Sequence, residues 1–451
     1  FYINSSCYQR LLLIKSRAMS SILFKNAGIL ATKNNKFEFI ENGYLAVDGD
    51  KIDYIGKEEP KKKYKEEKEC SGLILTPGFV NCHGHSAMTL LRGVGSDLPL
   101  QDWLHVMWPV EDRMNEDDLR CGMELAIMEM LSSGTTSFTD MYLMPWAVAD
   151  TIGRSGIKAN FSRVMQAFQE MSDSDYDSYY RVKETEDLVS AFHNSYSERL
   201  KVDYAIHAEY TCKPLVVRRY SEDCLKKGLK MQIHLSETKK EHVECIEKYG
   251  KTPTEWFNDL GCFENPTLAA HCVWVEDSDM DILKDKGVTV VHNPTSNLKL
   301  GSGFAPVPKM IEKGINVALG TDGAASNNNL NFMEEIHLAS IMHNGRLGDP
   351  TVMDPETVLK MATINGAVAQ GREDTGSLEV GKKADVVAFD VNKPHLTPNL
   401  NPEALLVYSA QGSDVCMTMV DGNILYENGE FKTIDKERVY REVKKSMERL
   451  Y

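Results

Sequence analysis

Several features that would assign a chain to a particular class are missing from this sequence. It has no apolar run close to the roughly 18 residues that a membrane-spanning helix needs. It also has no excess of positive charge, because 51 Lys and Arg stand against 66 Asp and Glu, a net charge of −15 at pH 7. An acidic chain is a poor match for nucleic acid or for an anionic membrane surface. We therefore expect neither of them as its main partner.

The ten cysteines are scattered along the chain, and no two of them stand at Cys-x-x-Cys spacing. This absence argues against a zinc ribbon and against a thioredoxin-like redox motif. Scattered thiols in a long chain are typical of buried cysteines in a reducing compartment. We predict a cytoplasmic protein on this basis.

The length and composition allow a substantial folded core. The chain has 451 residues and is 42% hydrophobic, which suits one large domain or two to three ordinary ones and argues against global disorder. The first 18 residues differ from the rest, and their apolar segment at 11–14 is far shorter than the roughly 7–15 residues of a signal peptide. We interpret residues 1–18 as an extension or tag without a functional role.

Two stretches with a strand-and-turn pattern, residues 19–75 and 381–434, flank a longer central region, residues 76–380. In the central region apolar strands alternate with amphipathic segments of helical length, which implies βαβ units and a parallel sheet. Eight candidate strands suggest an α/β fold with a closed (β/α)8 TIM-type barrel. They span residues 73–85, 135–141, 157–164, 202–209, 230–237, 267–273, 288–293 and 315–322. We predict that the flanks form one small β-sandwich domain and that residues 435–451 form a C-terminal helix.

Six of the 12 histidines fall at the ends of these predicted strands, where barrels of this type carry their active sites. His83 and His85 are two residues apart, so in a strand they point to the same face. Imidazole is the commonest metal ligand in proteins, although two solvated histidines at a strand end are an alternative for this pair alone. The pair gains weight because further candidate ligands follow later strands: His207, His234, His271, His292 and Asp322.

Four of these side chains offer three imidazole nitrogens and one carboxylate oxygen: His83, His85, His234 and Asp322. This donor set suits zinc, which can add a water molecule as a further ligand. Zinc lowers the pKa of a bound water towards about 7. We therefore predict a site for one divalent ion, with Zn²⁺ as the first choice and Fe²⁺ or Mn²⁺ as alternatives that the same donor set accepts.

Three side chains near this site are candidate catalytic groups. Asp322 could accept a proton from the water, and His271 could orient or polarise that water. Glu237 lies three residues beyond His234, in the turn after the strand, and could protonate a ring nitrogen of a substrate. Protonation there makes the adjacent carbon electrophilic.

Each candidate also has a purely structural alternative. His234 could be a hydrogen-bonded core histidine, and His271 could bind a backbone carbonyl. Asp322 could cap the N-terminus of a helix, and Glu237 could be a solvated acid in the first turn of one. The role of His292 stays open between the site and its structural support. These alternatives do not explain why suitable ligands recur on successive strand ends.

The sequence around these residues resembles the amidohydrolase superfamily, in its chlorohydrolase and deaminase branch. The motifs that carry the resemblance are PGFVNCHGH at 77–85, HLSE at 234–237, HC at 271–272, VHNPTSNLKL at 291–300 and GTDG at 320–323. Four further segments are similar to the 5-methylthioadenosine/S-adenosylhomocysteine deaminase subgroup: residues 88–93, 100–104, 108–111 and 323–328. The resemblance covers nearly the whole chain from residue 20.

The resemblance implies a metal-dependent deaminase with one ion and no carboxylated lysine. It implies that adenosine-type thioether nucleosides are hydrolysed to an inosyl product and ammonia, that Glu237 contacts the purine, and that Glu111 and His207 bind the ribose hydroxyls. It further implies that Arg163 contacts the amino-acid tail of the substrate, with Arg181 as a candidate second arginine. The residues alone leave Glu111 open to being a solvated loop acid, His207 a core histidine and Arg163 a partner in an internal salt bridge.

Two rival functions and the oligomeric state remain open from the sequence. One rival is the same machinery acting on another heterocycle, such as guanine, a pterin or a halogenated triazine. The other is a catalytically silent barrel that serves as a binding scaffold. Nothing in the sequence excludes a homo-oligomer.

Overall fold

The computed structural model describes residues 20–144 and 146–451, so the interpretation of residues 1–18 lies outside the described part. Its strands form two nine-stranded sheets. One sheet is built from both flanks of the chain, and the other is the parallel sheet of the central region.

The flanking sheet joins five strands from the first flank to four from the second. Its strand order is β18-β17-β16-β15-β5-β1-β2-β3, with β4 paired to β1. The first five strands are β1 Ser21–Lys33, β2 Lys36–Asp48, β3 Lys51–Gly56, β4 Glu66–Glu69 and β5 Leu73–Pro77. The last four are β15 Val386–Asp390, β16 Val415–Val420, β17 Asn423–Glu427 and β18 Glu430–Phe431.

The sheet folds over a shared apolar core. Alternate side chains of β1, β2, β5, β15 and β16 enclose a buried cluster that includes Phe24, Ile29, Val47 and Val386. The Ile52 N–H donates to the Lys382 carbonyl, so strand β3 at one edge returns to the segment just before β15.

The central sheet is a parallel barrel in the order β14-β13-β12-β11-β10-β8-β7-β6, with β9 paired to β8. Its strands are β6 Phe79–Asn81, β7 Thr135–Tyr142, β8 Lys158–Met165, β9 Leu200–Val202, β10 Tyr204–Ile206, β11 Met231–Leu235, β12 Thr267–His271, β13 Thr289–His292 and β14 Val317–Leu319. Because β9 and β10 are two parts of one interrupted strand, the barrel has eight positions. The Cys82 N–H donates to the Leu319 carbonyl at 2.8 Å and closes the ring, which confirms the predicted fold class.

Helices cover the outside of the barrel and connect its strands. In chain order they are α1 Leu100–Glu111, α2 Glu116–Ser132, α3 Trp146–Ser155, α4 Asp173–Ser178, α5 Tyr180–Phe192, α6 Pro214–Lys227, α7 Lys239–Tyr249, α8 Pro253–Asp259, α9 Asp277–Asp285, α10 Pro294–Lys299, α11 Val307–Glu312, α12 Phe332–Leu347, α13 Pro355–Ala362, α14 Ile364–Gln370, α15 Pro402–Tyr408 and α16 Lys436–Leu450. Within the described ranges, no helix is long and apolar enough to cross a membrane.

The predicted first strand, residues 73–85, is divided between the two sheets. Strand β5 ends at Pro77 in the flanking sheet, and β6 begins at Phe79 in the barrel. Gly78 makes the transition, because a Cβ there would lie 2.1 Å from Thr136 Oγ1. The continuous apolar pattern hid this change of sheet, and the backbone turns where only glycine fits.

The C-terminal helix α16 packs on α2 beside the barrel. Arg438 binds Glu124 at 2.5 Å and Glu442 at 2.8 Å, while Val439 and Leu450 are buried. The end of the chain therefore packs against the helix that leads into β7, rather than into solvent.

Candidate metal-dependent active site

The predicted site residues meet in one cavity at the carboxyl ends of the barrel strands. Four of its lining residues were predicted as catalytic or substrate-binding groups: Glu111, His207, Glu237 and His271. Three others are predicted metal ligands: His85, His234 and Asp322. His83 is buried directly behind them, with its ring centroid 4.9 Å from those of His85 and His234. Side chains up to about 240 residues apart in sequence therefore converge on one point.

The four predicted ligands place nitrogen and oxygen atoms within a few ångströms of one another. Asp322 Oδ1 lies 3.4 Å from His83 Nε2 and 3.2 Å from His85 Nε2. His85 Nε2 in turn lies 3.2 Å from His234 Nε2. His271 also offers an atom that is within 4.8 Å of those of His83 and His234.

Hydrogen bonds on the far side of two rings orient the ligand nitrogens. His85 Nδ1 donates to the Met141 carbonyl at 2.7 Å, and His234 Nδ1 donates to the His207 carbonyl at 2.7 Å. With Nδ1 as the donor, Nε2 of either ring carries a lone pair that points into the cluster when that ring is unprotonated. Two such lone pairs 3.2 Å apart repel each other unless a cation or a proton lies between them.

Asp322 is held so that one oxygen faces the histidines. Its Oδ2 accepts hydrogen bonds from Ser296 Oγ at 2.6 Å and Ser326 Oγ at 2.8 Å. Its Oδ1 is the atom that faces His83 and His85. The two hydroxyl groups therefore orient the carboxylate as the second layer of a metal site does.

The electrostatics of the cluster favour a bound cation. Burial lowers the pKa of His83 to about 4, so its ring is neutral, and its Nε2 makes no well-directed hydrogen bond to any described residue. Burial raises the pKa of Asp322, but the close contacts of its Oδ1 with the His83 and His85 rings bring it well below the usual value. Burial also lowers the pKa of His85, yet Asp322 raises it to about 9, so a proton held there competes with a metal. The donor set fits a divalent ion.

The backbone is strained at the strand ends that carry the site. Ser236, His271, Cys272 and Asp322 adopt positive φ angles between +47° and +74°. Such conformations cost energy in residues other than glycine and cluster at functional sites. At His271 and Asp322 they turn the side chain out of the strand direction and towards the cavity.

Glu237 is a buried acid beside the ligand cluster. Its Oε1 accepts from Ser302 Oγ at 3.4 Å, and its Oε2 lies 3.7 Å from His271 Nε2. Burial and then the charge of Asp322 raise the pKa of Glu237 well above its usual value. Burial therefore favours the protonated form of this carboxyl group, which can donate a proton.

His271 is hydrogen-bonded through Nδ1 on the side away from the cavity. Its Nδ1 lies 2.8 Å from Asn297 Oδ1, to which it donates as the Nδ1–H tautomer, and 3.3 Å from Asn293 Nδ2. Burial lowers its pKa, so Nε2 of the neutral ring is a hydrogen-bond acceptor that faces Glu237.

Glu111 and His207 line the same cavity as the predicted metal ligands. Glu111 ends helix α1 and accepts a hydrogen bond from the Tyr142 hydroxyl at 2.6 Å, and burial raises its pKa. His207 packs its ring 4.8 Å from that of His234, and burial lowers its pKa to about 3. A carboxyl group and a neutral imidazole thus line the cavity in which the predicted metal ligands meet.

Arg163 is not brought into this cavity. Its Nε donates to Glu184 at 2.7 Å, and its side chain lines a neighbouring cavity on the other side of β8. Val164 and Gln166 line the active-site cavity, and alternation along the strand turns Arg163 the other way. Arg181 donates to the Val164 carbonyl at 3.0 Å.

His292, whose role the sequence left open, belongs to the structural support. Its Nε2 faces His343 Nε2 of helix α12 at 3.2 Å, and both rings are buried. It does not line the cavity.

Sequence reasoning missed several residues that orient the site. They are Ser296 and Ser326 at Asp322, Asn297 at His271, Tyr142 at Glu111, and Glu241 behind Glu237. Glu241 carried a readable signal, because Thr238 and Glu241 have the spacing of a helix capping box. Ser296 and Asn297 lie in the segment 291–300 and Ser326 lies in the segment 323–328, both of which carried the resemblance, but the sequence did not show what these side chains contact. Tyr142 has no pattern of its own in the sequence.

A closed barrel that gathers imidazole and carboxylate ligands beside a buried acid defines a class, that of metal-dependent hydrolases. The sequence profile of the amidohydrolase family matches residues 74–425. The chain belongs to this family.

Comparison with known proteins adds three relatives. The chain is 44% identical over 432 residues to the 5-methylthioadenosine/S-adenosylhomocysteine deaminase of Caldanaerobacter subterraneus, covering 95% of this chain and 98% of the relative. It is 41% identical over 433 residues to the 5'-deoxyadenosine deaminase of Methanosarcina acetivorans, covering 96% and 99%. A crystal structure of an adenosine deaminase from Xanthomonas campestris with bound zinc superposes with a TM-score of 0.89 at 29% identity, covering 96% and 98%.

Proposed function

We propose that the protein is an aminohydrolase that removes the C6 amino group of adenosine-type nucleosides and releases ammonia and the inosyl product. The observation that carries the proposal is Glu237, an acid in the cavity that the predicted metal ligands share, where burial favours its protonated form. Relatives at 40–44% identity that are named as deaminases of 5-methylthioadenosine, S-adenosylhomocysteine or 5'-deoxyadenosine support this substrate class. Within it we propose thioether nucleosides as the substrates.

The proposed ligands of one divalent ion, with zinc as the first choice, are His83, His85, His234 and Asp322. When bound, such an ion supplies Lewis-acid activation of a water molecule. A relative in structure that contains bound zinc supports this choice of metal.

The side chains divide the proton transfers between them. Glu237 donates its proton to the purine ring nitrogen next to C6, which makes C6 electrophilic. His271 accepts a hydrogen bond at Nε2 from the attacking water and orients it. Asp322 is the anionic base that takes one proton of the water and delivers it to the leaving amine, which departs as neutral ammonia. The second proton of the water returns to the carboxylate of Glu237 as the C6 carbonyl of the inosyl product forms.

Glu111 and His207 are the proposed contacts to the ribose. A carboxylate accepts hydrogen bonds from both hydroxyl groups of a vicinal diol. The neutral ring of His207 adds a donor or an acceptor beside it. The Tyr142 hydroxyl keeps Glu111 turned into the cavity.

The decisive experiment incubates the protein with a panel of adenosine derivatives. Loss of the adenine absorbance together with stoichiometric ammonia release supports the proposal. Turnover of guanine, a pterin or a triazine, with none of the nucleosides, would instead favour another heterocycle. Only traces of metal in purified protein, with no activity after zinc is added, would favour a silent scaffold.

A matched variant tests the riboside assignment. Glu111→Gln keeps the size of the side chain and the hydrogen bond from Tyr142, but it weakens acceptance from a diol. We expect kcat/KM to fall by about tenfold or more for a nucleoside and to change little for a free base such as adenine. Equal losses for both substrates would refute the ribose role.

A further inference from the structure

Two buried carboxyl groups lie directly behind Glu237 and have no part in the chemistry above. Glu209 belongs to the short 3-10 turn Glu209–Thr211 after β10, and Glu241 lies in the first turn of α7. Each is 3% exposed, and the two are within hydrogen-bonding reach of each other. Glu209 Oε2 and Glu241 Oε1 accept no hydrogen bond from an N–H or hydroxyl donor of the described residues.

The two groups cannot both be charged, because two carboxylates in contact in a buried site repel each other strongly. Glu241 is the better anion, since its Oε2 accepts the backbone N–H of Glu237 at 2.8 Å and that of Thr238 at 3.3 Å. Backbone donors favour the charged form of a carboxyl group. The shared proton therefore lies on Glu209, whose O–H donates to Glu241.

The surroundings agree with this placement of the proton. Burial and the charge of Glu241 raise the pKa of Glu209 well above its usual value, and the charge of Lys248 does not outweigh them. The other titratable groups that face the pair are Tyr210, Glu237, Cys245, His271, Cys272 and Asp279.

We propose that Glu209 is a positioning residue that donates its proton to Glu241 and thereby holds the backbone of Glu237, so that the proton-donating carboxyl group keeps its place in the cavity. The inference rests on the proposed function, since it matters for catalysis only if Glu237 is the proton donor. Glu209 itself does not line the cavity, so it acts through Glu241.

The arrangement has a consequence at alkaline pH. When Glu209 loses its proton, two anionic carboxylates face each other across a buried contact. Their repulsion pushes Glu241 off the N–H groups of Glu237 and Thr238, and the acid moves out of position. We expect kcat to fall as this proton leaves, with a smaller change in KM.

Two substitutions separate the hydrogen bond from the titration. Glu209→Gln keeps a donor to Glu241 that does not titrate, and Glu209→Leu removes the donor. Misplacing a catalytic group by about 1 Å can cost about a hundredfold in rate. We expect kcat of Glu209→Leu to fall about ten- to a hundredfold at pH 7 with KM within about threefold. Glu209→Gln should stay close to the wild type at pH 7 and lose less activity as the pH rises.

Glu247→Gln is the matched control, because Glu247 lies on the same helix α7 and is exposed. Thermal unfolding shows whether each variant is folded. If folded Glu209→Leu keeps the wild-type kcat, or if Glu209→Gln keeps the wild-type alkaline loss, the positioning role is wrong.

A spectroscopic measurement decides the protonation without turnover. Both proteins are labelled with ¹³C-glutamate and measured at pH 8. The infrared difference spectrum, wild type minus Glu209→Gln, should contain the carbonyl band of one protonated carboxylic acid. Protonated Glu237 is present in both proteins and cancels. Absence of that band overturns the shared proton. Failure of the wild type to deaminate any nucleoside overturns the proposed function instead, and the band still tests the Glu209–Glu241 pair.

Discussion

Both ends of the barrel bury ionisable side chains, but the two ends differ in the partners that these side chains have. At the amino end of β8, Lys158 Nζ lies 2.6 Å from both oxygens of Asp385 and 2.7 Å from Asp421 Oδ1. At the carboxyl ends, His83 Nε2 makes no well-directed hydrogen bond, and the Nε2 atoms of His85 and His234 face each other at 3.2 Å.

The contrast teaches how to separate structural from functional polar groups. A buried charge whose partners are all supplied by the protein holds the fold together. The Lys158 cluster joins the barrel to Asp385 and Asp421 in the second flank of the chain. A buried nitrogen whose lone pair is oriented but accepts no hydrogen bond from the protein is suited to bind a ligand. The histidine cluster is of this kind.

The largest effect that we expect is on catalysis at the carboxyl end. Glu237→Gln removes the proton donor but keeps the shape of the side chain. We expect kcat to fall by about 10²- to 10⁴-fold, the range for a lost general acid. Ammonia release measures this, while the unfolding temperature and the metal content should not change. A variant that keeps at least half of the wild-type kcat would contradict the assignment.

The opposite pattern is expected at the amino end. Lys158→Met leaves Asp385 and Asp421 buried without their cation, and breaking a buried pair costs about 3–5 kcal/mol. Denaturant unfolding should show this loss, while kcat of the folded protein stays near that of the wild type. Lys226→Met is the control, because the exposed pair of Lys226 with Asp223 is worth less than about 1 kcal/mol. Equal losses of unfolding free energy in Lys158→Met and Lys226→Met would contradict the stabilising role of the Lys158 cluster.

Removal of the metal should affect both activity and stability. A chelator should abolish turnover, because the ligand cluster then lacks its ion. It should also lower the unfolding temperature, since an ion at a hundred times its Kd contributes about 2.7 kcal/mol to the folded state. Added zinc should restore both properties. If elemental analysis shows that the protein is free of metal and it is still fully active, the proposed metal dependence is wrong.

The smallest effect concerns Glu335 of helix α12, which supports the site from behind. Its carboxyl group accepts from Asn327 Nδ2 at 2.7 Å and from the Thr295 N–H at 3.2 Å. Burial raises its pKa from 4.5 to about 7. The stability that its proton contributes is therefore complete below pH 4.5 and is lost as the pH rises through 7.

Glu335→Gln removes this titration and keeps the size of the side chain. The unfolding temperature of the wild type should fall more between pH 5 and pH 8 than that of the variant. Thermal scans at both pH values measure the difference. Parallel pH dependences in the two proteins would exclude this contribution of Glu335.

The periodic parts of the fold could be predicted from the sequence. Strand–helix alternation predicted the eight-position parallel barrel, because apolar periodicity reports directly which faces are buried. It did not predict that β5 and β6 belong to different sheets, since both are equally apolar. The change of sheet depends on the close approach of Gly78 to Thr136, which come from separate strands.

The candidate site shows the same division. His83, His85, His234 and Asp322 could be singled out because they follow successive strands, whose carboxyl ends meet in a barrel. Arg163 also follows this pattern, yet it binds Glu184 outside the cavity. Its direction depends on the strand pleat and on a partner from helix α5, and neither is visible at the position of Arg163 alone.

By itself, the sequence determined which side chains have the donor atoms for a divalent ion and that these side chains follow parallel strands. Tertiary structure decided which of them face one cavity, which lone pairs are left free and which acid is buried enough to stay protonated. The donor atoms of a side chain and its place after a strand are properties of single residues and short segments. Tautomer, burial and proton sharing, as between Glu209 and Glu241, depend on atoms from distant parts of the chain that meet only when it folds.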